Sequence, residues 1–321
     1  GNRGRNTIHY NDGPDGGHGL DQSISFGSDL TESVALGDLN GDGALDVVAG
    51  NQGRNVLYLN DRPRFPPSGH AFGESRLTHS VALGDLDHDG DLDVVAGNEL
   101  ENQVYLNDGQ GGLTGFALGP KPEGALATLS VALGDLNGDG ALDIVAGNEG
   151  RDQVYLNAGQ GTFVPGDEFG GENTRAIAVG DLDGDGRLDV AAGSDPKSYV
   201  YLNDGAGRLQ SGVPFGENQQ IDALAFGDWD GDGDLDLVAG IWGAQNRVYL
   251  NDGSGHLSAH LSFGGADEAH SVALGDLDGD GSLDIVNGIH GHKNSVHWNP
   301  TRRATGLVDH PTGDGRVVVL L

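Results

Sequence analysis

The 321-residue chain has no cysteine and no methionine, and only three lysines, Lys121, Lys197 and Lys293. Without cysteine there is no disulfide framework, no thiolate nucleophile and no thiolate metal site. No apolar run approaches the roughly 20 residues that a membrane-spanning helix requires, so membrane insertion is not expected. Clusters of Lys or Arg are missing as well. With a formal net charge of −32, the surface should repel nucleic acid and anionic membranes, because both are bound through basic patches. Nucleophile elbows of the Gly-Xaa-Ser-Xaa-Gly type and phosphate-cradling glycine loops are also lacking, which leaves little for catalysis. Helical periodicity and helix caps are missing throughout, so the architecture reads as all-β.

What the chain does have is one nine-residue acidic loop repeated six times at spacings of 46 to 50 residues. The copies span 38–46, 85–93, 135–143, 181–189, 228–236 and 276–284, reading DLNGDGALD, DLDHDGDLD, DLNGDGALD, DLDGDGRLD, DWDGDGDLD and DLDGDGSLD. Each has a glycine at position 6 and oxygen side chains at positions 1, 3, 5 and 9. These are Asp38, Asn40, Asp42 and Asp46; Asp85, Asp87, Asp89 and Asp93; Asp135, Asn137, Asp139 and Asp143; Asp181, Asp183, Asp185 and Asp189; Asp228, Asp230, Asp232 and Asp236; and Asp276, Asp278, Asp280 and Asp284. Hard oxygens converging from one tight turn suit Ca²⁺, and about six ions are expected. An EF-hand is excluded, because position 12 is Ala49, Ala96, Ala146, Ala192, Ala239 or Asn287 instead of glutamate. Transition metals would want His or Cys, and only His88 enters a loop. Asn40 and Asn137 leave their loops one charge poorer, so those two sites should bind more weakly. The loops supply fewer than half of the 49 acidic residues.

Around each loop the pattern is strand, loop, strand, short connection, strand, turn, strand, as in Ser130–Gly134, Leu142–Asn148, Gln153–Asn157 and Gly161–Val164. Asn-Asp-Gly at Asn107, Asn203 and Asn251, and Asn60-Asp61 followed by Arg62 in place of glycine, is a hairpin cue, since these residues tolerate positive φ. A four-stranded unit at this period is a β-propeller blade. Residues 1–13 align without gaps to 147–159, and Val317–Leu321 occupies a first-strand position. The expectation is a single propeller domain over 1–321 with seven blades, six as the alternative. A split seventh blade would be built from 1–30 and 316–321, lacking its own acidic loop.

The motifs Val-Ala-Leu-Gly-Asp-Leu, Asp-Xaa-Asp/Asn-Xaa-Asp-Gly-Xaa-Leu-Asp and Val-Tyr-Leu-Asn-Asp-Gly, which together run over essentially the whole chain, resemble the FG-GAP/VCBS repeat family, whose best-known relatives are the integrin α-subunit propellers. The resemblance implies calcium between strands 1 and 2 of a blade, with the position-7 carbonyls of Ala44, Asp91, Ala141, Arg187, Asp234 and Ser282 completing the ligand sets. It also implies ligand binding or adhesion outside the cell.

Opposite the acidic loops, the connections between strands 2 and 3 vary from unit to unit and offer a rim for recognition. Arg54, Arg151, Trp242, His290 and His292 are its most distinctive side chains. Trp242 could stack on a sugar or cover the top of a blade, and the histidines could chelate a metal or simply face solvent. Trp229, in place of a loop leucine, reads as core. The expected function is a secreted or cell-surface, calcium-stabilised binding module for a protein or glycan ligand, monomeric and not an enzyme. A propeller-fold carbohydrate lyase or hydrolase, or a purely structural module of a larger surface protein, are the alternatives.

Overall fold

A glycine and an aspartate bracket every acidic loop. In the computed structural model, which describes residues 2–3, 6–10, 22–27, 29–61, 65–66, 68–265, 269–289 and 294–299, the strand before each loop ends on a glycine paired with the loop's last aspartate. The pairs are Gly37 with Asp46, Gly84 with Asp93, Gly134 with Asp143, Gly180 with Asp189, Gly227 with Asp236 and Gly275 with Asp284. Each loop therefore closes an antiparallel hairpin. The glycine is needed for packing: a Cβ on Gly84 would lie 2.7 Å from Leu142 Cδ1 and 2.8 Å from Leu133 Cδ1 of the next unit. Leucines at loop position 8 thus fill slots that only glycine leaves open.

The second strands of the hairpins, such as Asp93–Asn98 and Asp236–Ile241, are buried at every residue. Such runs need cover on both faces, and neighbouring units supply it. One cluster, with Leu86, Val95, Val104, Val131, Ile144 and Tyr155, draws on two successive units. Position 2 of the acidic loop points into these layers, and Trp229 is buried there as expected. A Phe-Gly pair at the outer strand adds a second contact. Phe72, Phe169 and Phe215 each meet a tyrosine of the following unit (Tyr105, Tyr201 and Tyr249) edge-on, with ring centroids 4.9–5.5 Å apart. Innermost strands are laced by hydrogen bonds from Val81 N to Ser33 Oγ, Val131 N to Ser80 Oγ and Ile177 N to Ser130 Oγ.

The result is an all-β propeller, but the expected seven blades, or six, are corrected. The described strands hydrogen-bond into four sheets of seven, six, four and three strands, plus a two-stranded N-terminal pair. Counted as sheets of three strands or more, the propeller has four blades. The reason is strand continuity. His70–Gly84 and Phe163–Gly180 each run unbroken from the outer edge of one repeat into the innermost strand of the next, fusing two repeats into one sheet. Two of the expected connections opposite the acidic loops are likewise not loops, since Asp46–Tyr58 and Asp143–Asn157 continue as strand through residues 51–54 and 148–151.

At the N-terminus, Asn6–Tyr10 pairs with Gln22–Phe26, and Phe26 meets Tyr58 edge-on at 4.8 Å. The expected partner segment 316–321 lies outside the described residues. Among the described residues, no helix is long and apolar enough to cross a membrane.

Candidate metal loops and the rim opposite them

The geometry of the acidic loop starts with its backbone. Position 4 adopts positive φ in the described copies, at Gly41, Gly138, Gly184, Gly231 and Gly279, and also at His88 with φ 65. A histidine there carries strain that glycine avoids. Its ring compensates by bonding across to the next loop, Nε2 lying 3.0 Å from the Gly140 carbonyl oxygen. The position-1 carboxylate accepts backbone N–H groups from across the turn, as Asp135 does from Asp139 and Gly140 at 3.1 and 2.8 Å.

Four loops bring three carboxylates together: Asp85, Asp87 and Asp93; Asp181, Asp183 and Asp189; Asp228, Asp230 and Asp236; Asp276, Asp278 and Asp284. One oxygen from each lies within 4.8 Å of the others, at loop positions 1, 3 and 9. The position-5 carboxylates are used differently. Asp42, Asp89, Asp139, Asp185, Asp232 and Asp280 each accept the position-7 N–H at 2.7–3.0 Å. Arg187 also pairs with Asp185. In the two asparagine loops the amides of Asn40 and Asn137 turn toward Asp42 and Asp139, at 3.3 and 2.9 Å.

The last aspartate of each loop is the buried one. Its two oxygens accept the position-2 N–H and the N–H of an asparagine on the third strand, as Asp93 does from Leu86 at 2.8 Å and Asn107 at 2.8 Å. Burial still raises its proton affinity: Asp46, Asp93, Asp143, Asp189, Asp236 and Asp284 are all pushed above the ordinary carboxylate range by desolvation, Asp93 to about 6. The neighbouring loop carboxylates add repulsion. A cluster of hard oxygens with uncompensated charge and no nitrogen or sulfur donor is chemically suited to a hard divalent cation.

The third-strand asparagine is the residue that sequence reasoning undervalued as a turn former. Asn107 Nδ2 donates to the Leu92 carbonyl of its own loop at 3.1 Å and to the Leu39 carbonyl of the preceding loop at 2.8 Å. Asn157, Asn203, Asn251 and Asn299 reach back in the same way to Leu86, Leu136, Leu182 and Trp229 at 2.6–2.8 Å. Five asparagines therefore staple six acidic loops in series. Its recurrence 14 or 15 residues after the last aspartate of each loop was the available signal.

On the opposite rim, Arg54 is committed to the backbone, donating to the carbonyls of Gly73 and Ala71 at 3.0 Å each. Arg151 is exposed and pairs loosely with Glu168 at 3.6 Å. Trp242 is 38% exposed and meets His270 edge-on at 5.1 Å. His290 and His292 lie outside the described residues. A clip that sequence reasoning missed tightens this rim: Asn55, Asn102 and Asn246 accept the N–H of Asn51, Asn98 and Ile241 at 2.9–3.1 Å. Asp152 stands in that role at 2.8 Å from Asn148 N.

The model of a family described as FG-GAP-like repeat matches residues 38–96, 85–146, 135–192, 181–239 and 240–286, five repeats that include all six acidic loops. No curated protein matches the chain in sequence. Among solved structures it is similar to an Agrocybe aegerita lectin described as recognising non-reducing terminal N-acetylglucosamine (21% identity, TM-score 0.61, covering 93% of this chain and 85% of that one). It is similar also to BBS1N, solved in complex with ARL6DN (14% identity, TM-score 0.62, 86% and 81%). A third is the V. cholerae biofilm matrix protein Bap1 (19% identity, TM-score 0.50), of which the match spans 42% against 77% of this chain. At these identities the likeness concerns the fold.

Proposed function

The chain belongs to the FG-GAP-like repeat family, and from that premise we propose that it is a calcium-stabilised propeller that binds a glycan or protein outside the cell and performs no chemistry. The observation that carries this reading is the division of labour between the two rims. One rim repeats a trio of carboxylates four times over, and all six loops are stapled together. That is the organisation of a scaffold. Calcium would sit among positions 1, 3 and 9 of each loop, supplying positive charge to carboxylates that otherwise repel one another. Magnesium fits less well, because it holds its waters and asks for a tighter octahedral shell. Many sites of one kind are best filled where calcium is plentiful, which favours a secreted or surface location.

The opposite rim, with no acidic loop, is left for the ligand. The fold shared with a glycan-recognising lectin makes glycans the first ligands to try. The test is a labelled chain applied to glycan and extracellular-protein arrays in calcium buffer and again in EDTA. Selective binding in calcium that is lost on chelation is the expected outcome. Silence on both arrays, or release of reducing ends from a polysaccharide panel, contradicts the reading.

A further inference from the structure

Among the described residues, each innermost strand that leads into an acidic loop carries a β-bulge at the same place, near the end away from the loop. The register slips between Thr31 and Ser33, Thr78 and Ser80, Thr128 and Ser130, Thr174 and Ala176, Ile221 and Ala223, and Ala269 and Ser271. The residue before each slip is buried. The residue inside it is Glu32, His79, Leu129, Arg175, Asp222 or His270. A bulge re-aims one side chain while leaving the ladder intact on both sides. Six units thus present six side chains at one level, and these differ in kind although their neighbours hardly change.

Three of them meet. Arg175 Nε lies 3.7 Å from Asp222 Oδ1, and His270 Nδ1 lies 3.5 Å from Asp222 Oδ2. The Asp222 side chain is only 5% exposed, whereas those of Arg175 and His270 are 38% and 43% exposed. Gln220 Nε2 donates to Asp222 Oδ1 at 2.8 Å, and its carbonyl accepts from Trp242 N at 3.0 Å. Trp242 then stands beside His270, the two rings at 86°. Yet Asp222 Oδ2 and Arg175 Nε, both buried, have no hydrogen-bond partner, and neither has Gln219 Oε1 nearby in sequence.

Buried polar atoms without partners are rare and cost about 1–3 kcal/mol each. The Arg175–Asp222 ion pair at 3.7 Å is too long for an N–H···O hydrogen bond, so Nε is left without one. A hydroxyl both donates and accepts, so a pair of adjacent hydroxyls can satisfy a carboxylate and a guanidinium together. An anion would meet Asp222 at the centre of the arc, and a cation would meet Arg175. The half-exposed indole offers an apolar face to the same molecule. We propose that Arg175, Asp222 and His270, walled by Trp242, form a binding site for a neutral sugar residue whose vicinal hydroxyls donate to Asp222 Oδ2 and accept from Arg175 Nε. This rests on the reading of the chain as a glycan-binding propeller and assigns the place where that binding occurs.

The experiment is calorimetric titration of the calcium-loaded chain with neutral mono- and disaccharides, comparing wild type with Asp222→Asn, Trp242→Ala and Arg208→Ala. Arg208 is an exposed residue at a turn on the acidic-loop rim. Expected is a loss of at least about tenfold in affinity for Asp222→Asn and for Trp242→Ala, and no more than about twofold for Arg208→Ala. Melting curves in calcium establish that each variant is folded; should Asp222→Asn fail to fold, the half-exposed Trp242→Ala decides. A wild type that binds a sugar while folded Trp242→Ala and Asp222→Asn bind it equally well overturns this site alone. A wild type that binds none of the sugars overturns the site together with the glycan reading.

Discussion

The two rims of the propeller obey opposite rules of variation. At the acidic-loop end, the same oxygen chemistry recurs in all six copies, and every buried hydrogen-bond partner around the last aspartate recurs with it. At the other end, a structurally constant bulge carries Glu32, His79, Leu129, Arg175, Asp222 and His270 in turn. Repetition under a fixed geometry is what folding demands of stacked units. Variation under an equally fixed geometry is not demanded by folding, since the bulge tolerates leucine and arginine alike. The contrast teaches that a repeat protein can hold one end of a hairpin constant while the other end varies in chemistry under the same backbone geometry.

Removing the divalent cation should widen the contrast most. Each site held at a hundredfold its dissociation constant contributes about 2.7 kcal/mol, so excess EDTA should lower the melting temperature by on the order of 10 °C or more. An unchanged melt would break the assignment of the acidic rim to support.

Next in size is the staple. Asn157→Ala strands the Leu86 and Leu142 carbonyls and should cost about 2–3 kcal/mol. Asn60→Ala, whose amide reaches only the Leu45 carbonyl of its own loop among the described residues, should cost roughly half as much. Equal losses in thermal melts would show that linking loops across units adds nothing.

On the opposite rim, Asp152 replaces the clip asparagine and is fully buried, with bonds from Asn148 N and Thr174 Oγ1 at 2.8 Å. Desolvation pushes its carboxyl up to about 8. The folded state therefore keeps a proton that the unfolded chain releases near the ordinary carboxylate value. Stability from this residue is complete below about pH 4 and is lost as pH rises toward about 8. Asp152→Asn restores the residue type found at Asn55, Asn102 and Asn246. It should melt higher than wild type at pH 8, with the advantage shrinking toward pH 5. A constant difference across that range would contradict the buried proton. The smallest effect on stability belongs to Trp242→Ala, roughly 1 kcal/mol, even though it should abolish most sugar affinity.

Much of this was legible beforehand, and the exceptions share a cause. The hairpins and the buried Trp229 follow from local pattern, because glycine placement and turn chemistry act within a few residues. The number of blades did not follow. Whether His70–Gly84 breaks or runs through depends on hydrogen bonds that its two halves make to different repeats. The staple was hidden for a similar reason, its acceptor lying 67–71 residues upstream. In the arc of Arg175, Asp222 and His270, each unit contributes one unlike residue, so no motif is formed. The trace was a lone changing letter between buried Thr31, Thr78, Thr128 and Thr174 and the small residues Ser33, Ser80, Ser130 and Ala176.

The most direct measurement is the number of calcium ions carried by the folded chain, by elemental analysis after equilibrium dialysis against buffered calcium. The account predicts at least the four ions of the three-aspartate loops, rising toward six as Asn40 and Asn137 loops fill at higher calcium. A folded, monodisperse chain that retains one ion or none at saturating calcium would contradict it.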